Sequence, residues 1–139
     1  MKNPLIWIGS LVAGFITVFV LEGVGHALFP LPEGIDPMNP ESLRANIDRI
    51  PVPALLAVAV GHFVGALIAV YLSHRFTRSV NYAYATTALF MLATAVNLIL
   101  IPHPMWFLFA DAVAVALGAL FGFLLGKNSA GAMAAPTSG

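Results

Sequence analysis

The sequence predicts an all-α fold: a four-helix transmembrane bundle with a short amphipathic helix in the outer first loop. Three observations carry this. Of the 139 residues, 60% are hydrophobic and only 9% charged, against about 25% charged in an average soluble domain. Four stretches are long and apolar enough to cross a hydrocarbon core, which takes roughly 20 helical residues for about 30 Å. None alternates polar and apolar residues as the strands of a barrel do, so the spans are helical.

The first span runs from about Pro4 to Phe29, with Glu22 as its only formal charge. Met1-Lys2 gives it a positive start, but its apolar run exceeds a signal-peptide core and no small-x-small cleavage site follows. An uncleaved signal anchor is therefore expected. The first loop, Pro30 to Val52, is the long connection, stiffened by Pro30, Pro32, Pro37 and Pro40. Asn39-Pro40 is a helix start, a capping side chain followed by proline at the first helical position. Pro40 to Ile50 then places Leu43, Ile47 and Ile50 on one face. This reads as a short amphipathic helix on the outer membrane surface, either a lid or a connector that hides apolar side chains.

The second span, about Pro53 to Ser73, and the third, about Asn81 to Ile101, carry no formal charge. A short basic loop joins them. Ile101-Pro102-His103-Pro104 leaves almost nothing between the third span and the fourth, so the two are antiparallel neighbours. The fourth runs from about Pro104 to Gly126 and contains Asp111 alone. Residues 1–127 thus form a single membrane domain. The tail from Asn128 to Gly139, rich in Ser, Gly, Ala, Pro and Thr, lacks the apolar mass to fold and is expected to be disordered.

Orientation follows from Lys and Arg. Lys2, Arg75, Arg78 and Lys127 fall on one side; Arg44 and Arg49 fall on the other, beside Glu33, Asp36, Glu41 and Asp48. The first side is expected to be cytoplasmic, with both termini inside and the long loop outside. Trp7 and Trp106 fall near opposite interfaces, where indole rings prefer to sit.

Composition also excludes functions. Six Lys/Arg balance six Asp/Glu, leaving no basic surface for nucleic acid. With no cysteine, disulfides, thiolate metal sites, iron–sulfur clusters and cysteine nucleophiles are excluded. There is no Gly-x-Ser-x-Gly elbow, no phosphate-binding glycine loop and no dinucleotide fingerprint, so no standard catalytic motif argues for an enzyme.

What remains is a set of polar residues at a shared depth. At 1.5 Å of rise per residue, His26 and His103 lie near the outer surface. By that same rise Asn97 is roughly 7 Å in, Glu22 about 9, Asp111 about 10 and His62 about 13. Each helix thus places a polar group in the outer half of the bilayer. Ala59, Gly65, Ala66, Ala69 and Ser73 share the side of His62; Thr86, Ala93 and Thr94 that of Asn97; Ala114, Gly118 and Gly122 that of Asp111. Small residues face other helices in membranes, so the polar groups are expected to point inward. Glu22 and His26, four apart, project from one face. Gly61-x-x-x-Gly65 and Gly118-x-x-x-Gly122-x-x-x-Gly126 are packing ridges, expected to serve within the bundle rather than between protomers.

An ionised carboxylate in hydrocarbon costs about 2.5–3.5 kcal/mol on insertion scales. Glu22 and Asp111 must therefore be protonated, paired with histidine, or in contact with water or a cation. Three chemistries fit. Glu22, His26, His62 and Asp111 could ligate a divalent metal, as carboxylates and imidazoles do in helix bundles, although His-Glu-x-x-His is absent. Glu22–His26 facing Asp111 could exchange protons with the outer compartment. Or the cluster fixes helix register through hydrogen bonds.

Leu21-Glu22-x-x-x-His26, Pro30-x-Pro32-x-Gly34-x-Asp36-Pro37, Asn97 and Ile101-Pro102-His103-Pro104-x-Trp106-Phe107 resemble the pattern of a functionally uncharacterised family of small bacterial four-helix integral membrane proteins. The resemblance spans most of the chain. It implies topology and a bacterial inner-membrane location, but no activity. It also implies that Glu22, His26, Asn97 and His103 matter more than His62, and that Pro-His-Pro meets Glu22–His26 beneath the first loop. The leading expectation is a non-enzymatic subunit or helper of a membrane assembly, with the bilayer and a homo-oligomer or larger complex as partners. The alternatives are an oligomeric proton- or ion-handling protein and a metal-dependent membrane enzyme.

Overall fold

The computed structural model describes residues 2–132, with side chains described for residues 3–127. Helix α1 (Lys2–Leu28) leads through the proline-rich loop to α2 (Pro40–Ala45), a 3-10 turn (Ile47–Arg49) and α3 (Val52–Thr77). Helices α4 (Val80–Leu100) and α5 (Met105–Ala132) complete the chain. The long helices α1, α3, α4 and α5 are each long and apolar enough to cross a membrane, and among the described residues there is no strand. The chain is an all-α four-helix bundle, as expected, and fits an integral membrane protein.

Helix α3 is the centre. Twelve of its residues are buried, against four in α4. It packs along α1 on one side and α5 on the other, while α4 touches α3 and α5 and barely meets α1. The bundle therefore has a thin place between α1 and α4. Three apolar layers stack along α3. Leu55, Ala59 and Phe107 lie at the α2 end, Ala66, Ala69, Phe90 and Val115 in the middle, and Val70, Ala83 and Ala119 toward the other end. Outward positions carry long apolar side chains such as Phe19, Ile99 and Phe109, a surface suited to lipid.

Glycine sets the helix spacing. A Cβ at Gly118 would collide with the Phe63 carbonyl oxygen, and one at Gly122 with the Leu67 carbonyl oxygen. One at Gly126 would stand 2.9 Å from the His74 Cβ. The ridge on α5 thus lies on α3 backbone, inside the chain. Across α3, a Cβ at Gly65 would collide with Val18 and stand 2.9 Å from the Gly14 carbonyl oxygen. Gly61 differs from the expectation of a tight ridge: a Cβ there would stand 3.5 Å from Leu21 Cβ, ordinary contact. Gly14 is the true partner of Gly65, and Ser10-x-x-x-Gly14 on α1 was the signal for it.

Helix α3 continues four residues past the expected end at Ser73. His74 is buried, its Nδ1 lies 3.1 Å from the Phe123 carbonyl oxygen, and its ring stacks on Phe123. Those contacts keep the polar last turn helical until Arg78 adopts φ 54 and ends it. The surface helix is shorter than 40–50, because Asn46 breaks it and a 3-10 turn follows. Its cap is as expected: Asn39 Oδ1 accepts from Glu41 N at 2.9 Å and Ser42 N at 3.4 Å. Helix α5 runs on through Ala132, past the expected end at Gly126. The remainder of the expected disordered tail, 133–139, lies outside the described residues.

Candidate functional site

Three of the long helices meet at one imidazole. His62 on α3 is buried, and its Nδ1 lies 2.8 Å from Asp111 Oδ1 and 2.9 Å from Oδ2 on α5. Its Nε2 lies 3.3 Å from Glu22 Oε1 on α1. The neighbours explain the placement. Gly14 and Gly65 bring α1 close to α3, and Gly118 brings α5 close from the other side. His62, between the two seams, can then reach a carboxylate on each.

The two carboxylates differ in surroundings. The Asp111 side chain has 0% exposure, whereas that of Glu22 keeps 27%. Glu22 borders two cavities. One, of about 140 Å³, lies toward α2 and is lined by Glu22, His26, Asn97 and His103 among apolar side chains. Leu31, Pro37, Leu43 and Ile50 of the first loop form its roof. The other, of about 170 Å³, lies deeper and is lined by Glu22, His62, Thr94 and Asn97 with Phe15, Val18, Phe90 and Ala93. Both occupy the thin place between α1 and α4. The roof is held by its own turns: Gly34 takes φ 85, Met38 N donates to Asp36 Oδ1 at 2.9 Å, and Asp36 N donates to Ser42 Oγ at 3.0 Å.

His103 belongs to the connection between α4 and α5. Its Nδ1 donates to the Ile101 carbonyl oxygen at 2.7 Å and its ring stacks on Phe107. Burial holds this imidazole below its ordinary 6.5, with the Ile101 hydrogen bond and the Asp111 charge pulling the other way. The neutral ring keeps its proton on Nδ1, because a carbonyl only accepts, and Nε2 is left as an acceptor.

The six expected polar residues therefore fall into two groups joined by Glu22. Glu22, His62 and Asp111 form a carboxylate–imidazole–carboxylate triad; Glu22, His26, Asn97 and His103 line the roofed cavity. His62, which the resemblance set aside, is the centre of the first group. His26 is exposed and does not complete a metal set with the others. Among the described residues no group of three or more His, Asp or Glu is arranged to hold a metal ion. The physical reason is that both ring nitrogens of His62 are directed at carboxylates instead of a shared centre.

His74 escaped sequence reasoning, although His62, Ala66, Val70 and His74 follow one another in steps of four along α3. The Trp7–Thr86 hydrogen bond, 2.9 Å between α1 and α4, escaped it too. No family model, curated protein or solved structure matches the chain.

The triad's chemistry follows from counting protons. A hydrogen bond or ion pair in both gaps takes two protons shared by three groups. They give either an imidazolium between two carboxylates or a neutral imidazole with one carboxylic acid. Both arrangements carry one net negative charge. In a low-dielectric surround that charge is costly, and a third proton or an external cation removes it. Either must arrive at Glu22, because Asp111 is sealed.

Proposed function

We propose that this chain is a proton-handling membrane protein in which the Glu22–His62–Asp111 triad takes up and releases a proton through Glu22, on the α2 side. The observation that carries this is the asymmetry of the triad: one carboxylate fully buried, the other bordering cavities, with one imidazole between them. A cluster that merely fixed helix register would need no opening. Below the triad, the layer of Ala66, Ala69, Phe90 and Val115 separates it from Ser73 and His74. Proton exchange therefore runs with one compartment, and the triad acts as a store or a trigger. The lysine and arginine distribution supports the outer face of the membrane as that compartment. A role as a subunit or helper of a larger assembly is compatible with such a trigger, which would report external pH or ligand to a partner.

Infrared titration of the protein in lipid nanodiscs tests this directly. A protonated-carboxyl stretching band should grow as pH falls, vanish in Glu22→Gln and change in frequency in Asp111→Asn. A band absent at every pH, or indifferent to both substitutions in folded protein, would overturn the reading.

A further inference from the structure

We propose that the roofed cavity is a binding site for a primary ammonium group carried on a short apolar body. This rests on the reading of Glu22 as the open member of the triad and names the ligand of that site. The polar atoms of the lining supply the first reason. Glu22 contributes a carboxylate, His103 has Nε2 left as an acceptor because Nδ1 is committed to the Ile101 carbonyl, and Asn97, also in the lining, carries an amide oxygen able to accept. Acceptors on α1, on α4 and on the connection after it suit a donor with three N–H groups, which a primary ammonium is. The charge agrees: with two protons the triad holds one net negative charge, and a monocation at Glu22 neutralises it without a third proton.

Size and lining supply the second reason. At about 140 Å³ the space is close to an engineered cavity of about 150 Å³ that holds benzene. Leu31, Leu43, Ile50, Leu55, Val58 and Ile101 give its walls an apolar character that favours a hydrocarbon body over a bare hydrated ion. Below the acceptors Leu55 and Val58 belong to the packed layer at the α2 end, so the ligand sits between lid and core. His26, one turn outward from Glu22, stands at the rim.

Two sources carry this chemistry, a free amine and the ethanolamine headgroup of a lipid. The test is calorimetric titration of butylammonium into the protein in phosphatidylcholine nanodiscs, whose headgroup nitrogen has no N–H. Saturable binding is expected. It should fall at least about tenfold in Glu22→Gln, as loss of a charge-assisted hydrogen bond predicts, and vanish in Leu43→Trp, which fills the cavity from the lid without touching the acceptors. Butanol and tetramethylammonium should not compete. In discs containing phosphatidylethanolamine, competition assigns the site to the lipid headgroup, and unchanged affinity assigns it to a free amine.

No saturable binding, equal binding of butanol, or indifference to both Glu22→Gln and Leu43→Trp would overturn the proposal. Asp111→Asn separates it from the proton reading. That variant leaves the lining intact, so butylammonium should still bind there even if the infrared titration shows no proton uptake. A titrating carboxyl band without butylammonium binding would remove the ligand and leave the proton store.

Discussion

His62 Nδ1 lies 2.8 and 2.9 Å from the two carboxylate oxygens of Asp111, and Asp111 has no exposed surface. This forked contact ties α3 to α5.

Removing its acceptor should therefore be costly. Asp111→Ala leaves the buried Nδ1 of His62 without its partner, and truncating one member of a buried charged pair costs about 3–5 kcal/mol. Glu22→Gln keeps a hydrogen-bonding group at a partly exposed position and should cost near 0.6 kcal/mol, the average for a membrane hydrogen bond. Unfolding by detergent titration, with the Asp111→Ala/His62→Ala double variant closing the cycle, reads both. Equal costs for Asp111→Ala and Glu22→Gln would mean that the pair carries no special weight.

The glycines divide into those against backbone and those against movable side chains. Gly118→Ala drives a methyl into the Phe63 carbonyl oxygen, which cannot yield without parting α3 from α5. We expect a loss of about 1–3 kcal/mol, the usual cost of overpacking. Gly61→Ala finds Leu21 Cβ at 3.5 Å and should be neutral or gain up to about 1 kcal/mol of helix propensity. The same unfolding assay separates them, and a penalty at Gly61 matching that at Gly118 would contradict the packing described.

His103 should make stability pH-dependent in one direction. Its folded value lies below 6.5 because burial disfavours the charged ring. Between the folded value and 6.5 the unfolded chain binds more protons, so stability rises with pH across that window. The contribution is complete above 6.5 and declines as pH falls below it. In His103→Asn the slope of melting temperature against pH should flatten there; an unchanged slope would place the pH dependence elsewhere.

The cysteine-free sequence permits a clean topology test. Asp48 and Arg78 are exposed at opposite ends of the bundle. Asp48→Cys should react with a membrane-impermeant maleimide in intact cells, and Arg78→Cys after lysis. The opposite pattern would invert the orientation and place the roofed cavity on the cytoplasmic side.

Much of the fold was legible because lipid imposes a simple rule. A segment in hydrocarbon must satisfy its backbone internally, so an apolar run of sufficient length is a helix. The runs holding Glu22, His62, Asn97 and Asp111 were therefore readable one by one, as was the Asn39-Pro40 start of α2. The inward faces of α3 and α5 followed from small residues at helical spacing. The end of α3 was not legible, because His74, Arg75 and Thr77 look like loop in isolation. The Phe123 carbonyl and ring, 49 residues away, give His74 its buried partners.

The site divides in the same way. By itself the sequence determined that carboxylates and imidazoles fall in the same half of the bundle, since depth depends on position along a helix and nothing else. Tertiary structure alone decided who meets whom. Glu22 and His26 sit one turn apart on α1, yet Glu22 pairs with His62 across the helix interface, because the Gly14–Gly65 approach turns it inward. Partnership depends on the rotation and spacing of neighbouring helices, which glycines and small side chains set through steric contact. A single chain's residue spacing carries no record of that rotation, so a set of possible metal ligands became a triad and a separate cavity joined at Glu22.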